Sequence, residues 1–242
     1  MSKDKIEIED VKELYNNMEE IWPQNDPWYN YTQKKIHYFL KKWSSKLKFT
    51  KKTKILNAGS GGNTYGIVGN HTHIDISEKH LAGVENAIVA SVENMPLDSN
   101  LFDSCICVGS VINYCDLNMA IAEIDRVMKK GGILFLDFDQ SKSFEFIGTK
   151  HYNSNIDIIK TFNSGYEDKI WIYSEKYVRN TLAAHNFKVI KKKYYHTISA
   201  LIYNITKREH LAAKFTFLDK FVRFIPFLNK ISCNIILFAQ KI

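Results

Sequence analysis

Seven short apolar runs constrain this chain most, because from Thr53 onward they alternate with turn residues and helical stretches. They read KILNA (54–58), HIDI (73–76), AIVA (87–90), SCICV (104–108), ILFLDF (133–138), FKVIKKKYY (187–195) and CNIILFAQKI (233–242). The central runs are apolar throughout, as strands buried on both faces are, and strands that alternate with helices cross over in parallel. The fold class expected is α/β: a doubly wound, mostly parallel seven-stranded sheet with helices on both faces. Met119, Ile121, Ile124, Val127 and Met128 repeat at helical spacing, and KKGG (129–132) is expected to end that helix by glycine capping. A second helix, 174–187, starts at an N-cap serine. Ahead of the sheet, 7–22 and 30–48 read as helices separated by WPQNDPWYNY. Residues 1–52 are therefore assigned as an N-terminal helical cap and 53–242 as the main domain. Two segments of that domain, 139–173 and 195–231, fit no strand–helix unit and are read as insertions.

The segment KILNAGSGGN (54–63) carries the first functional signal. An apolar strand ends in Gly59, Gly61 and Gly62, where a Cβ would block both a tight turn and close approach of a ligand to the backbone. Asp75 follows at the end of the second strand, placed to accept hydrogen bonds from both hydroxyls of a ribose at the strand carboxyl ends. The pattern is not the dinucleotide fingerprint GxGxxG, since Thr64 stands at its third glycine. About ten residues between Gly62 and the second strand leave no room for a full helix to hold a pyrophosphate. A nucleoside without phosphates fits better, and S-adenosylmethionine is one.

From Lys54 to Phe138 the chain resembles the class I S-adenosylmethionine-dependent methyltransferases, their small-molecule branch in particular. ILNAGSGG is similar to their first motif, HIDIS to the second and SVENMPLDSNLFD to the third; VGSVINYC with AIAEIDRVMKKGGILFLDF resembles their fourth strand, helix and fifth strand. The resemblance implies a Rossmann-like domain and S-adenosylmethionine as cofactor, with S-adenosylhomocysteine as product. It implies that Gly59, Ser60 and Gly61 line the methionine end, that Asp75 holds the ribose and that Ile76 lies against adenine. Val92 would offer a backbone N–H to adenine, and Val108 and Gly109 would lie beside the amino-acid portion. Asn57 stands where the family usually has an acid facing the ammonium group, and Ser91 where an Asp usually accepts from the adenine amine. Both can accept without charge assistance. Glu93 either compensates or is a solvated acid.

Methyl transfer from a sulfonium is an in-line displacement that rests mostly on positioning, so the sequence need not advertise a catalytic constellation. A hydroxyl acceptor would need a base. His151, in the insertion after the fifth strand, is the first candidate, with His196 and His37 as runners-up; each has the alternative of an ordinary exposed histidine. Tyr29 and Tyr31, beside Trp28, either cover the cofactor or pack in the core. The (D/N/S)PPY motif that grips an extruded base is absent, the stretch reading GSVINY (109–114). The reading is O- or N-methylation of a small molecule, such as a sugar or glycan precursor. RNA or protein methylation, and a cofactor-binding protein without catalysis, are the alternatives.

The formal charge of +7 is unevenly spread. Residues 1–185 hold 22 Lys and Arg against 24 Asp and Glu, whereas residues 186–242 hold 11 against 2. That basic quarter is read as the acceptor side, favouring an anionic small molecule over nucleic acid. Within it, Leu211, Phe215, Leu218, Val222 and Ile225 would share one face of a helix over 211–228, a packed lid rather than a membrane-surface helix. Cys105, Cys107, Cys115 and Cys233 include no zinc-type spacing, so no metal is expected. The charged N-terminus and the cysteine usage suggest a cytoplasmic protein without a signal peptide.

Overall fold

Runs apolar on both faces fold as strands here, and the glycine turn from Gly59 to Gly62 directly follows the first of them. The structure, a computed structural model, describes residues 6–163 and 166–242. In chain order the elements are α1 (Ile8–Asn17), α2 (Pro27–Leu47), β1 (Lys54–Ala58), β2 (Asn70–Asp75), α3 (Glu78–Leu81), β3 (Ala87–Val89) and β4 (Phe102–Cys107). They continue with α4 (Leu117–Val127), β5 (Met128–Asp139), β6 (Ile156–Asn163), β7 (Tyr166–Tyr173), α5 (Glu175–Ala184) and β8 (Phe187–Tyr195). The chain closes with α6 (Ile198–Thr206), α7 (Glu209–Lys214), α8 (Pro226–Asn229) and β9 (Asn234–Lys241). Seven strands form one sheet in the order β3-β2-β1-β4-β5-β9-β8. Only β9 runs antiparallel to its neighbours within this sheet. The expected doubly wound, mostly parallel sheet is therefore observed.

Alternation along the strands divides the core in two. Leu134 and Leu136 of β5 face Cys105, Cys107, Ile121, Ile124, Val178 and Leu182, so α4 and α5 cover one face. Ile133 and Phe135 face Ile36, Phe39, Leu40 and Phe238, so α2 covers the other. The strand cysteines are buried free thiols, packed as small apolar groups.

Several boundaries differ from the sequence reading: α1 ends at Asn17 rather than at residue 22, and β2 begins at Asn70 rather than at His73. The α2 helix begins at Pro27 inside the WPQNDPWYNY connection, because Asp26 Oδ1 accepts from the backbone N–H groups of Trp28 and Tyr29 at 2.8 and 3.2 Å. Glycine does not cap α4: the chain passes from Val127 straight into β5, and residues 129–132 bulge between the Met128–Phe102 and Ile133–Ser104 pairings. The expected helix over 211–228 is broken into α7, a 3-10 stretch (Thr216–Phe224) and α8. The reason is tertiary: Asp219 turns to α6 and accepts from Ile198 N, Ser199 N and Ser199 Oγ at 2.7, 3.3 and 3.0 Å. Val222 is buried, but Ile225 is 51% and Phe227 77% exposed, so the predicted face does not survive as one stripe. The insertion 139–173 folds into the β6–β7 hairpin, whose Ile159, Ile170 and Ile172 cluster with Phe146 and Tyr114.

Candidate active site

The turn after β1 forms the floor of a cavity of about 700 Å³ at the carboxyl ends of β1, β2 and β4. Gly59 has φ +69°, and a Cβ there would lie 2.5 Å from the methyl groups of Val111. Both the left-handed backbone and the closeness require glycine. Asp75 is buried at 8% exposure and accepts from Gly61 N at 2.8 Å and Ser77 N at 2.9 Å. Each carboxylate oxygen keeps a further lone pair, so hydroxyls of a ribose can still be bound. Burial holds the Asp75 carboxyl above its ordinary range, against the pull of these backbone donors.

Of the eleven residues singled out for the cofactor, nine share this wall: Gly59, Ser60, Asp75, Ile76, Ser91, Val92, Glu93, Val108 and Gly109. Gly61 stands behind it, through its N–H to Asp75. Asn57 turns away: its Nδ2 lies 2.8 Å from His71 Nδ1, and its buried Oδ1 has no hydrogen-bond partner among the described residues. Glu93 is committed locally, accepting from Ser91 Oγ at 3.3 Å and from Asp116 N at 2.5 Å. The N-terminal segment closes the cavity. Ile21 lies against Gly61, Trp22 lies against Gly109, and α1 is tied to α3 through Ser77 Oγ to Asn16 Oδ1 at 2.7 Å and Lys79 Nζ to the Met18 carbonyl at 2.6 Å.

A second cavity, of about 1100 Å³, shares Tyr15, Ile21, Trp22, Gly109 and Tyr114 with the first. Asp137 and Asp139, at the end of β5, build the junction. Asp137 is buried beneath it, accepting from Gly109 N at 2.5 Å, from Ser110 N at 2.9 Å and from the Tyr195 hydroxyl. Asp139 lines the cavity and accepts from Ser110 Oγ at 3.2 Å and from Asn234 Nδ2. Its backbone is pinned by Asn113, which accepts the Asp139 N–H at 3.0 Å and donates to its carbonyl at 3.1 Å. Burial, then the charges of Asp137 and Glu145, push the Asp139 carboxyl up to about 8. Glu145 and Glu209 also line the cavity; burial raises both, Glu209 to about 7. Trp28, Tyr29 and Tyr203 complete an aromatic side, with Trp28 and Tyr203 ring centroids 6.2 Å apart.

The candidate histidines lie outside both walls. His151 Nδ1 is 2.7 Å from Asp157 Oδ2, in the turn before β6. His196 is fully buried, stacked on Trp28 at 3.7 Å, and bonded to Thr32 Oγ1 at 2.8 Å and Ser199 Oγ at 3.0 Å. Burial, with the charge of Lys35, holds it well below the ordinary imidazole range, so it supports the Trp28 side as a neutral ring. His37 packs edge-on against Tyr65. Tyr29 lines the second cavity, whereas Tyr31 packs on His196.

The basic quarter contributes Tyr203, Glu209, Cys233 and Asn234 to the second cavity, and among the described residues no Lys or Arg lines it. A separate groove beside β8 is lined by Lys188, Lys192 and Lys230 of that quarter together with Lys142, Lys176 and Arg179 from elsewhere in the chain. Sequence reading also missed Asp139, Glu145 and Glu209 as site residues. Only Asp139 carried a signal, as an acid at the carboxyl end of a central strand.

Residues 54–136, about a third of the chain, match the family model described as a methyltransferase domain. An uncharacterized protein of Methanocaldococcus jannaschii, MJ1252, is 32% identical over 85 residues, which are 33% of this chain and 34% of that protein. The match thus spans about a third of the curated relative. Among solved structures, the PH0226 protein of Pyrococcus horikoshii is similar with a TM-score of 0.60 and 15% identity, over 96% of this chain and 99% of that one. Geranyl diphosphate C-methyltransferase of Streptomyces coelicolor, solved with Mg²⁺, geranyl diphosphate and S-adenosylhomocysteine, is similar with a TM-score of 0.56 and 11% identity over 97% of each chain. At these identities the two structures speak to the fold.

Proposed function

We propose that this protein is a methyltransferase that uses S-adenosylmethionine in the first cavity and a small-molecule acceptor in the second. The observation that carries the reading is the shared wall at Gly109 and Tyr114 between a nucleoside-shaped cavity and a separate, aromatic-lined one. The cradle fits the group: the turn at Gly59 admits close approach, and Asp75 has lone pairs for the ribose. Ser60 and Gly109 would border the methionine portion, and Ile76 and Val92 the adenine. When bound, the sulfonium supplies an electrophilic methyl group and a neutral thioether leaving group. The chain's own part is to hold, orient and dry the reactants. Trp22 and Ile21 cover the junction, Asp137 fixes the two N–H groups after β4, and Asp139 stands on the acceptor side ready to take a proton.

A small acceptor is supported by the aromatic lining of the second cavity and by the absence of a base-gripping motif in GSVINY. Nucleic acid is disfavoured by the three carboxyls on the wall, which would repel phosphates. The solvent-exposed apolar residues of the lid, such as Phe217 and Phe227, form no membrane span; no helix among the described residues is long and apolar enough to cross a bilayer. Incubation with methyl-labelled S-adenosylmethionine and either a small-metabolite extract or total RNA tests the reading. Label should enter the metabolite fraction; transfer to RNA alone would overturn it.

A further inference from the structure

The second cavity shares a wall with the first, and its lining adds a charge preference. Asp139, Glu145 and Glu209 come from β5, the segment after it and α7, three separate parts of the chain that converge on one space. They act on one another electrostatically: Glu145 raises Asp139 and Glu209, and the charges of Glu209 and Asp139 both reach Tyr29. Trp28, Tyr29, Tyr203 and Tyr114 supply ring surface around them. The nearest lysine acting on the group, Lys207, is exposed, outside the wall, and donates to Asn204 Oδ1 at 2.8 Å. Asp26, at the N-cap of α2, adds a further negative charge behind Tyr29 and Glu209. Among the described residues no group of three or more His, Cys, Asp or Glu is arranged to hold a metal ion. A space rimmed by separated carboxyls and aromatic faces suits an organic cation, which draws on both carboxylate attraction and ring quadrupoles.

Resting on the reading of this cavity as the acceptor site, we propose that the acceptor is a primary or secondary amine that enters as a cation and is methylated on nitrogen, with Asp139 receiving its proton. The bound cation first displaces to solvent the proton that burial leaves on Asp139, and the ammonium then passes one proton to the resulting carboxylate. The freed nitrogen lone pair then forms the N–C bond as the C–S bond breaks, the bonding pair leaving on sulfur as S-adenosylhomocysteine. The product nitrogen carries the positive charge, held by Glu145 and Glu209, and Asp139 returns its proton to solvent on release. The raised carboxyls fit this sequence, because a proton acceptor that titrates near 8 is matched to an amine better than an ordinary aspartate is.

Three probes of one shape and different charge test the proposal: phenethylamine, 2-phenylethanol and phenylacetate. S-adenosylhomocysteine binding is measured first by calorimetry, and its failure would overturn the methyltransferase reading itself. On the protein saturated with S-adenosylhomocysteine, phenethylamine is expected to bind at least about ten-fold tighter than either other probe, as a desolvated cation among carboxylates and rings should. Its binding should also release protons, read as a heat that changes with the ionisation enthalpy of the buffer. Glu209→Gln and Glu145→Gln should each shrink the preference while leaving S-adenosylhomocysteine affinity and the melting temperature near wild type. Equal or tighter binding of phenylacetate, or no preference for the amine, including the case where none of the three binds, would overturn the amine assignment and leave the cofactor reading standing.

Discussion

Asp75 and Gly59 are where single side chains decide most. Asp75→Ala removes the carboxylate that faces the nucleoside cavity and supports Gly61 N, so cofactor affinity should fall by roughly 1–3 kcal/mol. Titration of the variant with S-adenosylhomocysteine checks this; an unchanged affinity would remove Asp75 from the site. Gly59→Ala forces a Cβ onto a backbone at φ +69° and to 2.5 Å from Val111. It should cost about 1–3 kcal/mol of stability, visible in denaturant unfolding, and abolish cofactor binding. Both positions were legible in the sequence, because a glycine turn and a strand-end acid are local signals. Asn57 was not. Its position beside the turn suggested the cofactor, but the parallel β1–β2 pairing sets Asn57 opposite His73 and near His71, and a cross-strand bond claims its amide. Glu145 and Glu209 were illegible for a related reason: neither lies in a motif, and only folding brings them within reach of Asp139.

The N-terminal helices and the two insertions supply most of the lining of the second cavity, and they are held together by pairings distant in sequence. His196, after β8, joins Thr32 of α2 to Ser199 of α6 and stacks on Trp28. His196→Ala should therefore lower stability by about 1–3 kcal/mol and loosen the aromatic side, weakening acceptor binding more than cofactor binding. Melting curves with and without S-adenosylhomocysteine separate the two effects. His151, salt-linked to Asp157 outside the wall, should tolerate replacement by Ala with its methyl-transfer rate retained. The strands of the main sheet were readable because apolar runs are a strong local pattern, whereas β6 and β7 lay in a segment that matched no strand–helix unit. The 211–228 helix was misread because Asp219, on the polar side of a good amphipathic stretch, is used instead to satisfy the N-terminus of α6. Local periodicity cannot report a competing tertiary bond of that kind.

For the molecule as a whole, charge is sorted by location. The basic groove beside β8 and the acidic cavity share no lining residue, so the +7 average describes neither. The total charge pointed toward anions; its placement points the acceptor cavity toward cations. The raised acceptor-side carboxyls also set a pH dependence. Asp139 rises from 3.8 to about 8 on folding, so it binds protons more tightly in the folded state. Its contribution to stability is full below about pH 4 and declines as pH rises to about 8. Asp139→Asn removes that decline, so the ligand-free variant should gain on the wild type in melting temperature between about pH 5 and about pH 8. A gap that stays constant across this range would contradict the placement of Asp139 in a dry, acidic site.

The methyl donor should bind in the cavity walled by Gly59, Asp75, Val92 and Gly109. Isothermal calorimetry of the intact chain with S-adenosylhomocysteine tests it most directly. Saturable binding with one site per chain, weakened in Asp75→Ala, is the expected result. Absence of binding by a folded wild-type protein would contradict it.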